Sequence, residues 1–234
     1  MATSLPMGKL AQSEHFCCHP LGRPNKFAAV LVVGLTGSLG AGKSTVGRAL
    51  ELRGAVVIDA DQVARDVLAP GTQGERAVLA RWGEPVSTPD GHLDRRALGR
   101  LVFASAPDRL ELEALTHPLI WEEVAKRMAA AQDAGALLVV VELPLLDESR
   151  RRQYGMDLVV LVDVPLEVAV ARAATRGIPE AEVRARIAVQ PSAEARRALA
   201  DRVIVNASTK EDLDLRVNEL WEWLGQRARS GEQR

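Results

Sequence analysis

Residues 37–44 read Gly-Ser-Leu-Gly-Ala-Gly-Lys-Ser. This stretch matches a phosphate-binding loop, a motif that requires a strand before it and a helix after it. The apolar run over residues 28–34 predicts that strand, and we expect the first core strand over residues 27–35. A helix is expected to begin at the end of the loop. The sequence therefore predicts a nucleotide phosphate site here.

Phosphate binding explains why glycine, lysine and serine occur at these positions of the loop. Three glycines let backbone N–H groups point at phosphate oxygens without obstruction by side chains. Lys43 supplies a positive charge to the β and γ phosphates, and the Ser44 hydroxyl is placed to bind Mg²⁺. The following helix directs the positive end of its dipole at the nucleotide. The predicted nucleotide-binding residues of the loop are Gly37, Gly40, Ala41, Gly42, Lys43, Ser44 and Thr45.

The composition is that of an ordered globular protein. Of the 234 residues, 47% are hydrophobic and 26% are charged, and the formal net charge is −1, which excludes disorder of the whole chain. This length allows one large core with small attachments. Acidic and basic residues are mixed, and no basic run is longer than Arg150-Arg151-Arg152. The sequence therefore lacks the charge pattern of a nucleic-acid-binding protein, and we expect no nucleic acid partner.

The first 26 residues show no hydrophobic periodicity, and we expect a disordered extension over residues 1–26. They contain no continuous apolar segment of the kind that a secretory signal needs, and no segment nearby is long enough to cross a membrane. The two cysteines, Cys17 and Cys18, are adjacent and cannot form a disulfide framework. These features predict a cytoplasmic protein without a membrane partner.

Strand candidates alternate with helical segments along the chain, which is typical of a parallel sheet covered by helices on both faces. After the first strand, apolar runs rich in branched residues predict four more. They lie at residues 55–58, 137–141, 158–162 and 203–205. The predicted fold class is therefore α/β, with a five-stranded parallel sheet.

Two long helical segments interrupt this alternation. The first, over residues 63–134, is too long for one crossover, and we expect breaks at Pro70-Gly71, at residues 83–91 and at Pro118. It is a candidate for a substrate-binding insertion. The second, over residues 166–200, is rich in arginine and predicts a lid over the phosphate site. A final helix is expected over residues 210–227, before a polar tail.

Two carboxylates directly follow the second predicted strand, those of Asp59 and Asp61. Ligands bind at the carboxyl ends of strands in such sheets, so both should face the phosphate site. Position alone leaves open whether Asp61 caps the next helix or takes part in chemistry. Because Asp59 can supply the cap, we expect Asp61 to be available for chemistry.

Several short elements occur together with the loop in a family-specific order. They are Gly34-Leu35-Thr36-Gly37, Val57-Ile58-Asp59-Ala60-Asp61, Pro70-Gly71-Thr72, Leu93-Asp94-Arg95, Leu115-Thr116-His117-Pro118-Leu119-Ile120 and Leu143-Pro144-Leu145-Leu146. Over residues 30–224 the chain resembles the dephospho-coenzyme A kinases. The resemblance implies a P-loop kinase fold that transfers the γ-phosphoryl group of ATP to the ribose 3′-hydroxyl of dephospho-coenzyme A, the last step of coenzyme A biosynthesis.

The resemblance also implies a division of the kinase domain, residues 27–227, into parts. The core is expected from residues 27–61, 136–165 and 201–227, with a helical coenzyme-binding insertion at 62–135, a lid at 166–200 and a polar tail at 228–234.

Catalytic roles follow from the same resemblance and from the needs of phosphoryl transfer. Asp61 would orient and deprotonate the ribose hydroxyl, and Lys43 would hold the transferring phosphate. From the lid, Arg172 would meet charge that develops on the phosphoryl oxygens. Arg176 is expected to assist it by binding the nucleotide.

Substrate and metal roles are expected for four further residues. Asp59 and His117 would contact the substrate, although His117 precedes Pro118, which marks a bend, so a structural role for this pair stays open. Ser44 and Glu142 would lie in the Mg²⁺ shell. The family usually carries aspartate where this chain has Glu142, and the longer side chain leaves open whether its contact with Mg²⁺ is direct or through water.

Two other functions are compatible with the loop. A kinase of the same fold that acts on a nucleoside monophosphate or a small alcohol is opposed only by the Asp59-Ala60-Asp61 and His117-Pro118 elements. A GTPase switch is disfavoured because no guanine-reading Asn-Lys-x-Asp is present, as Asn25-Lys26 is followed by Phe27-Ala28. The Asp-x-x-Gly sequence of a switch is also absent.

Overall fold

A five-stranded parallel sheet forms the centre of the structure, a computed structural model that describes residues 30–175 and 177–230. The strands are β1 (Leu31–Gly37), β2 (Val56–Asp59), β3 (Leu138–Glu142), β4 (Leu158–Asp163) and β5 (Arg202–Val205). Their order across the sheet is β2-β3-β1-β4-β5, and every neighbouring pair is parallel. The predicted α/β class and strand count are confirmed.

The first strand differs most from its predicted bounds of 27–35. It begins at Leu31 and continues to Gly37, because Leu35, Thr36 and Gly37 pair with β4. Residues 27–29 lie outside the described residues. The strand therefore runs directly into the phosphate loop at the middle of the sheet.

Burial along the strands follows their place in the sheet. All residues of the three inner strands β1, β3 and β4 are buried, as expected for strands covered on both faces. The edge strand β5 alternates instead, with Ile204 buried between exposed Val203 and Val205. The inner strands are therefore the most firmly held part of the sheet.

Helices cover both faces, as predicted. One face packs against α1 (Lys43–Glu51) and α10 (Lys210–Ser230), with Val46 and Leu220 fully buried in the core between them. The other face packs against α2 (Ala60–Asp66) and α5 (Ala106–Asp133). The helix α6 (Glu148–Gln153) connects β3 to β4.

The predicted insertion between β2 and β3 is helical. It consists of α2, α3 (Gln73–Trp82), a single 3₁₀ turn (Glu84–Val86), α4 (Arg95–Ala104) and α5. The breaks expected at Pro70-Gly71 and at residues 83–91 are present. A small apolar core of its own, which includes Val78, Val86 and Leu98, holds these helices together away from the sheet.

The predicted break at Pro118 is wrong, because α5 continues through this residue to Asp133. Pro118 is exposed, so it removes one helical hydrogen bond without disturbing packing. The helix is held on both sides of it, by buried Val124 in the sheet core and by Leu112 in the small core. Tertiary packing therefore overrides the local preference of proline.

The segment between β4 and β5 is also helical, as predicted. Its helices are α7 (Leu166–Ala174), α8 (Glu180–Ala188) and α9 (Ala193–Leu199). Val170, Ala173 and Val183 form a small core, against which Leu39 of the phosphate loop packs. The predicted lid segment is therefore in contact with the loop that it would cover.

The predicted ends of the chain can be compared with the structure only at the last helix. The last helix continues three residues past the predicted end at 227, to Ser230, and the predicted extension at 1–26 and residues 231–234 lie outside the described residues. None of the described helices combines the length and hydropathy needed to span a membrane.

Replacement of Pro118 by alanine tests why α5 continues. The Pro118→Ala substitution restores an N–H that can donate to the Ala114 carbonyl, so we expect the free energy of unfolding to rise by about 1–2 kcal/mol in urea titration. Pro107, in the first turn of the same helix, has no such partner to restore, and Pro107→Ala should leave stability unchanged or slightly lower. A loss of stability in Pro118→Ala would contradict this account.

Candidate active site

The phosphate loop joins the centre of the sheet to α1. Gly40 and Gly42 have φ angles of 78° and 91°, in the left-handed region that favours glycine. Gly42 also forms the N-cap of α1 and supplies no side-chain hydrogen bond, which leaves the first N–H groups of the helix to a ligand. The loop thus has the backbone geometry of an anion site.

Lys43 is the first residue of α1, and its ammonium folds back over the loop. Its Nζ donates to the Gly37 carbonyl at 2.9 Å and to the Ser38 carbonyl at 3.3 Å. Burial lowers the pKa of Lys43, and the carboxylates of Asp61 and Glu142 act against this shift. The ammonium therefore lies where the β and γ phosphates of a nucleotide would need it.

A cleft beside the loop brings the predicted groups together. It is lined by Leu39, Gly40, Gly42, Lys43, Ser44, Thr45, Asp59, Asp61, Glu142, Leu143 and Pro144. Three of these side chains are carboxylates and one is an ammonium. The cleft thus has an excess of negative charge, which favours a bound cation.

The helix cap that the sequence predicted for Asp59 is present. The Asp59 carboxylate caps α2, where its Oδ1 accepts from the Asp61 N–H at 2.8 Å and from the Gln62 N–H at 3.2 Å. Asp61 lies in the first turn of α2 and leaves the cap to Asp59. Burial first, and then the charge of Asp59, raise the pKa of the Asp61 carboxyl, while Lys43 and Arg65 oppose that rise. A carboxylate with a raised pKa is a stronger proton acceptor.

Glu142 ends β3 and points at the first turn of α1. Its side chain is buried, with 6% of the residue exposed, and its Oε2 accepts a hydrogen bond from Ser44 Oγ at 3.2 Å. Burial raises the pKa of Glu142, and Ser44 acts against this by donating to the carboxylate. A hydroxyl and a carboxylate thus stand next to each other beside the phosphate loop.

Arg172 and His117 are not among the residues that line the cleft. Arg172, on α7, donates from Nη1 to the Asn206 carbonyl at 2.9 Å. His117 is exposed on α5. Arg176 lies outside the described residues. Their proposed roles stay predictions.

Asn206 is a buried residue at the site that sequence reasoning missed. It follows β5 directly, its Nδ2 donates to the Ala41 carbonyl of the phosphate loop at 2.8 Å, and 6% of the residue is exposed. A Cβ atom on Gly42 would collide with this amide. Asn206 therefore connects the loop to the edge of the sheet and, through its carbonyl, to Arg172. Its position at the carboxyl end of a strand is the signal that could have found it.

The phosphate loop, the parallel sheet and the carboxylates of the cleft together indicate a group of enzymes. A phosphate-binding loop between a buried strand and a helix, on a five-stranded parallel sheet with carboxylates at the strand ends, is the arrangement of a P-loop kinase. The sequence model of the dephospho-CoA kinase family matches residues 31–212. The chain belongs to the dephospho-CoA kinase family, a family of transferases.

Individual relatives agree with this assignment. The dephospho-CoA kinase of Thermobifida fusca is 47% identical over 203 residues, which cover 86% of this chain and all of that protein. The dephospho-CoA kinase of Frankia casuarinae is 47% identical over 193 residues, or 82% of this chain and 83% of that protein. Among solved structures, TT1252 from Thermus thermophilus has a TM-score of 0.71 and 32% identity, and the match covers 83% of this chain and 98% of that one.

Loss of the Asn206 amide should weaken nucleotide binding. In Asn206→Asp a carboxylate oxygen replaces the donor that faces the Ala41 carbonyl, and a buried unsatisfied group costs about 1–3 kcal/mol. We therefore expect the Kd for ADP, measured by calorimetric titration, to rise by about 10-fold or more.

Asp201→Asn serves as the matched control. Asp201 accepts from the Val159 N–H at 2.8 Å and stands at the opposite end of β5 from the loop. This variant should lose stability while its Kd for ADP stays unchanged. Equal affinity of Asn206→Asp and the wild type would exclude Asn206 from nucleotide binding.

Proposed function

We propose that this protein transfers the γ-phosphoryl group of ATP to the ribose 3′-hydroxyl of dephospho-CoA and releases CoA and ADP. This is the last step of coenzyme A biosynthesis. One observation carries the chemistry: the Lys43 ammonium of the phosphate loop and the Asp61 carboxylate line the same cleft. Membership in the dephospho-CoA kinase family supports dephospho-CoA as the acceptor. The expected location is the cytoplasm, as the composition and the adjacent cysteines predict.

The phosphate loop would hold ATP, the phosphoryl donor. Phosphoryl transfer asks the protein mainly for positioning and for stabilisation of negative charge. The N–H groups at the start of α1 would bind the phosphates, and Lys43 would exchange the carbonyls of Gly37 and Ser38 for phosphate oxygens. A bond from an ammonium to a charged oxygen is stronger than one to a neutral carbonyl, so this exchange is favourable.

The acceptor hydroxyl is activated by Asp61. Its carboxylate is free of the helix cap, and its raised pKa brings it closer to neutrality, where a general base works best. Asp61 would orient the ribose hydroxyl and take its proton as the bond to phosphorus forms. Asp59 and the insertion at 62–135, with His117, would hold the rest of the coenzyme.

Mg²⁺ fits the residues beside the loop. Within the described residues, no group of three or more His, Cys, Asp or Glu side chains could hold a metal ion by itself. Mg²⁺ commonly binds through one or two protein oxygens together with substrate phosphates, and the adjacent Ser44 hydroxyl and Glu142 carboxylate provide such a pair. When bound with ATP, the ion would neutralise charge on the triphosphate.

The segment 166–200 would act as the lid. Arg172 donates a hydrogen bond to the Asn206 carbonyl, and the Asn206 side chain in turn donates to the Ala41 carbonyl of the loop. On closure Arg172, together with Arg176, would move to the phosphoryl oxygens and exclude water.

An acceptor screen tests the function. ADP formation should be followed with dephospho-CoA, nucleoside monophosphates and sugars as acceptors, and we expect turnover with dephospho-CoA alone. Lys43→Ala serves as the control for contaminating kinases, because it removes the ammonium that holds the transferring phosphate. Turnover with a nucleoside monophosphate or a sugar, and none with dephospho-CoA, would overturn the proposed acceptor.

Asp61→Asn tests the proposed base. The substitution keeps size but removes the proton acceptor, so kcat should fall by about 10²- to 10⁴-fold while the Kd for ATP stays nearly unchanged. In the wild type, kcat should fall as the pH drops through the raised pKa of Asp61, because only the deprotonated form accepts a proton. That acid limb should disappear in Asp61→Asn. Near-normal turnover of this variant would remove Asp61 from catalysis.

A further inference from the structure

The Glu142 carboxylate lies directly against the backbone of α1 at Gly47. A Cβ atom on Gly47 would overlap Glu142 Oε1 and would stand 2.9 Å from Glu142 Cδ, closer than real Cβ contacts come. Gly47 is buried in the middle of a helix and does not have a positive φ angle. Its backbone conformation therefore suits any residue, and the Glu142 side chain occupies the space that a Cβ atom would take.

The carboxylate of Glu142 spans two residues of α1 on one face of the helix. Ser44 and Gly47 are three positions apart, so they are neighbours on the helix surface. Oε2 accepts from Ser44 Oγ at 3.2 Å, and Oε1 lies over Gly47. The side chain thus lies along α1, and Oε2 is the oxygen beside Ser44, the other proposed metal ligand.

We propose that Gly47 is a positioning residue that allows a glutamate, in place of a shorter carboxylate, to serve the Mg²⁺ site. An aspartate at position 142 would lack one methylene group and would not need the space over Gly47. The glutamate needs it, because its longer side chain must fold back to keep Oε2 beside Ser44. This inference rests on the proposed function only where it concerns Mg²⁺, and the packing of Gly47 against Glu142 is independent of it.

Movement of the Glu142 carboxylate away from Gly47 has an electrostatic cost. Glu142 is buried, and the carboxylates of Asp59 and Asp61 line the same cleft. A side chain at position 47 would push the carboxylate out of its place over the helix and into the cleft, toward these two like charges. Movement of the carboxylate would also take Oε2 away from the Ser44 hydroxyl that donates to it. Stability and metal binding should therefore both depend on the pair.

A double-mutant cycle on thermal unfolding tests the packing without nucleotide. Alanine normally stabilises a helix interior relative to glycine. We nevertheless expect Gly47→Ala to lower the Tm in the wild-type background and to raise it in the Glu142→Asp background. This change of sign is the signature of the pair.

Gly99→Ala is the matched control. Gly99 is also in the interior of a helix, α4, but a Cβ there would meet nothing within 4 Å. Gly99→Ala should raise the Tm in both backgrounds.

A second measurement concerns the metal. Calorimetric titration with ADP, in the presence and absence of Mg²⁺, gives the factor by which the ion tightens binding. Gly47→Ala should reduce this factor by about 10-fold, as loss of a group that orients a metal ligand usually does. The double variant Gly47→Ala/Glu142→Asp should restore it close to the wild-type value.

The outcomes separate this inference from the proposed function. A rise of the Tm in Gly47→Ala alone, or a double variant that binds Mg²⁺-ADP no better than Gly47→Ala, would overturn it. If Gly47→Ala fails to fold, folding of the double variant supports the pair and its failure overturns it. If the wild type does not phosphorylate dephospho-CoA, the proposed function is overturned. The packing inference still stands in that case, provided that the Tm values of the double-mutant cycle change sign as expected.

Discussion

The parallel direction of the five strands is the constraint on which the whole site depends. Because all carboxyl ends lie at one edge of the sheet, residues far apart in the chain meet there: the phosphate loop after β1, Asp59 at the end of β2, Glu142 at the end of β3 and Asn206 after β5. The inner strands β1 and β3, which position the phosphate loop and Glu142, are buried on both faces. The rigid sheet therefore positions side chains that the loops alone could not hold in place.

Electrostatic balance is the second feature of the site. Three carboxylates and one ammonium share a partly buried cleft, and burial acts against the charged form of each group for which a shift is found. Lys43 offsets part of the negative charge, and the carboxylates in turn act to keep it protonated. The remaining excess is negative, which suits a site that receives a metal ion together with the triphosphate.

Local patterns predicted the features that depend on neighbouring residues. The phosphate loop, the five strands and the cap by Asp59 follow from contiguous residues, and the structure agrees with them. Pro118 was misjudged because its effect on α5 is decided by packing at both ends of the helix. Asn206 and Gly47 were missed because their partners, Ala41 and Glu142, lie 165 and 95 residues away in the sequence, where no local pattern reports a contact.

The contacts of Asn206 also bear on how the lid and the loop could act together. Its amide holds the Ala41 carbonyl, and its carbonyl holds Arg172 on α7, so a single residue touches both parts. Leu39 of the loop packs in the small core of α7 and α8, which is a second link. Release of Arg172 from a neutral carbonyl loses less than a charge-assisted bond to phosphate gains. In the proposed mechanism, bound triphosphate would therefore provide the difference in free energy that lid closure requires, and without a nucleotide the bond to Asn206 would hold Arg172 in its present place.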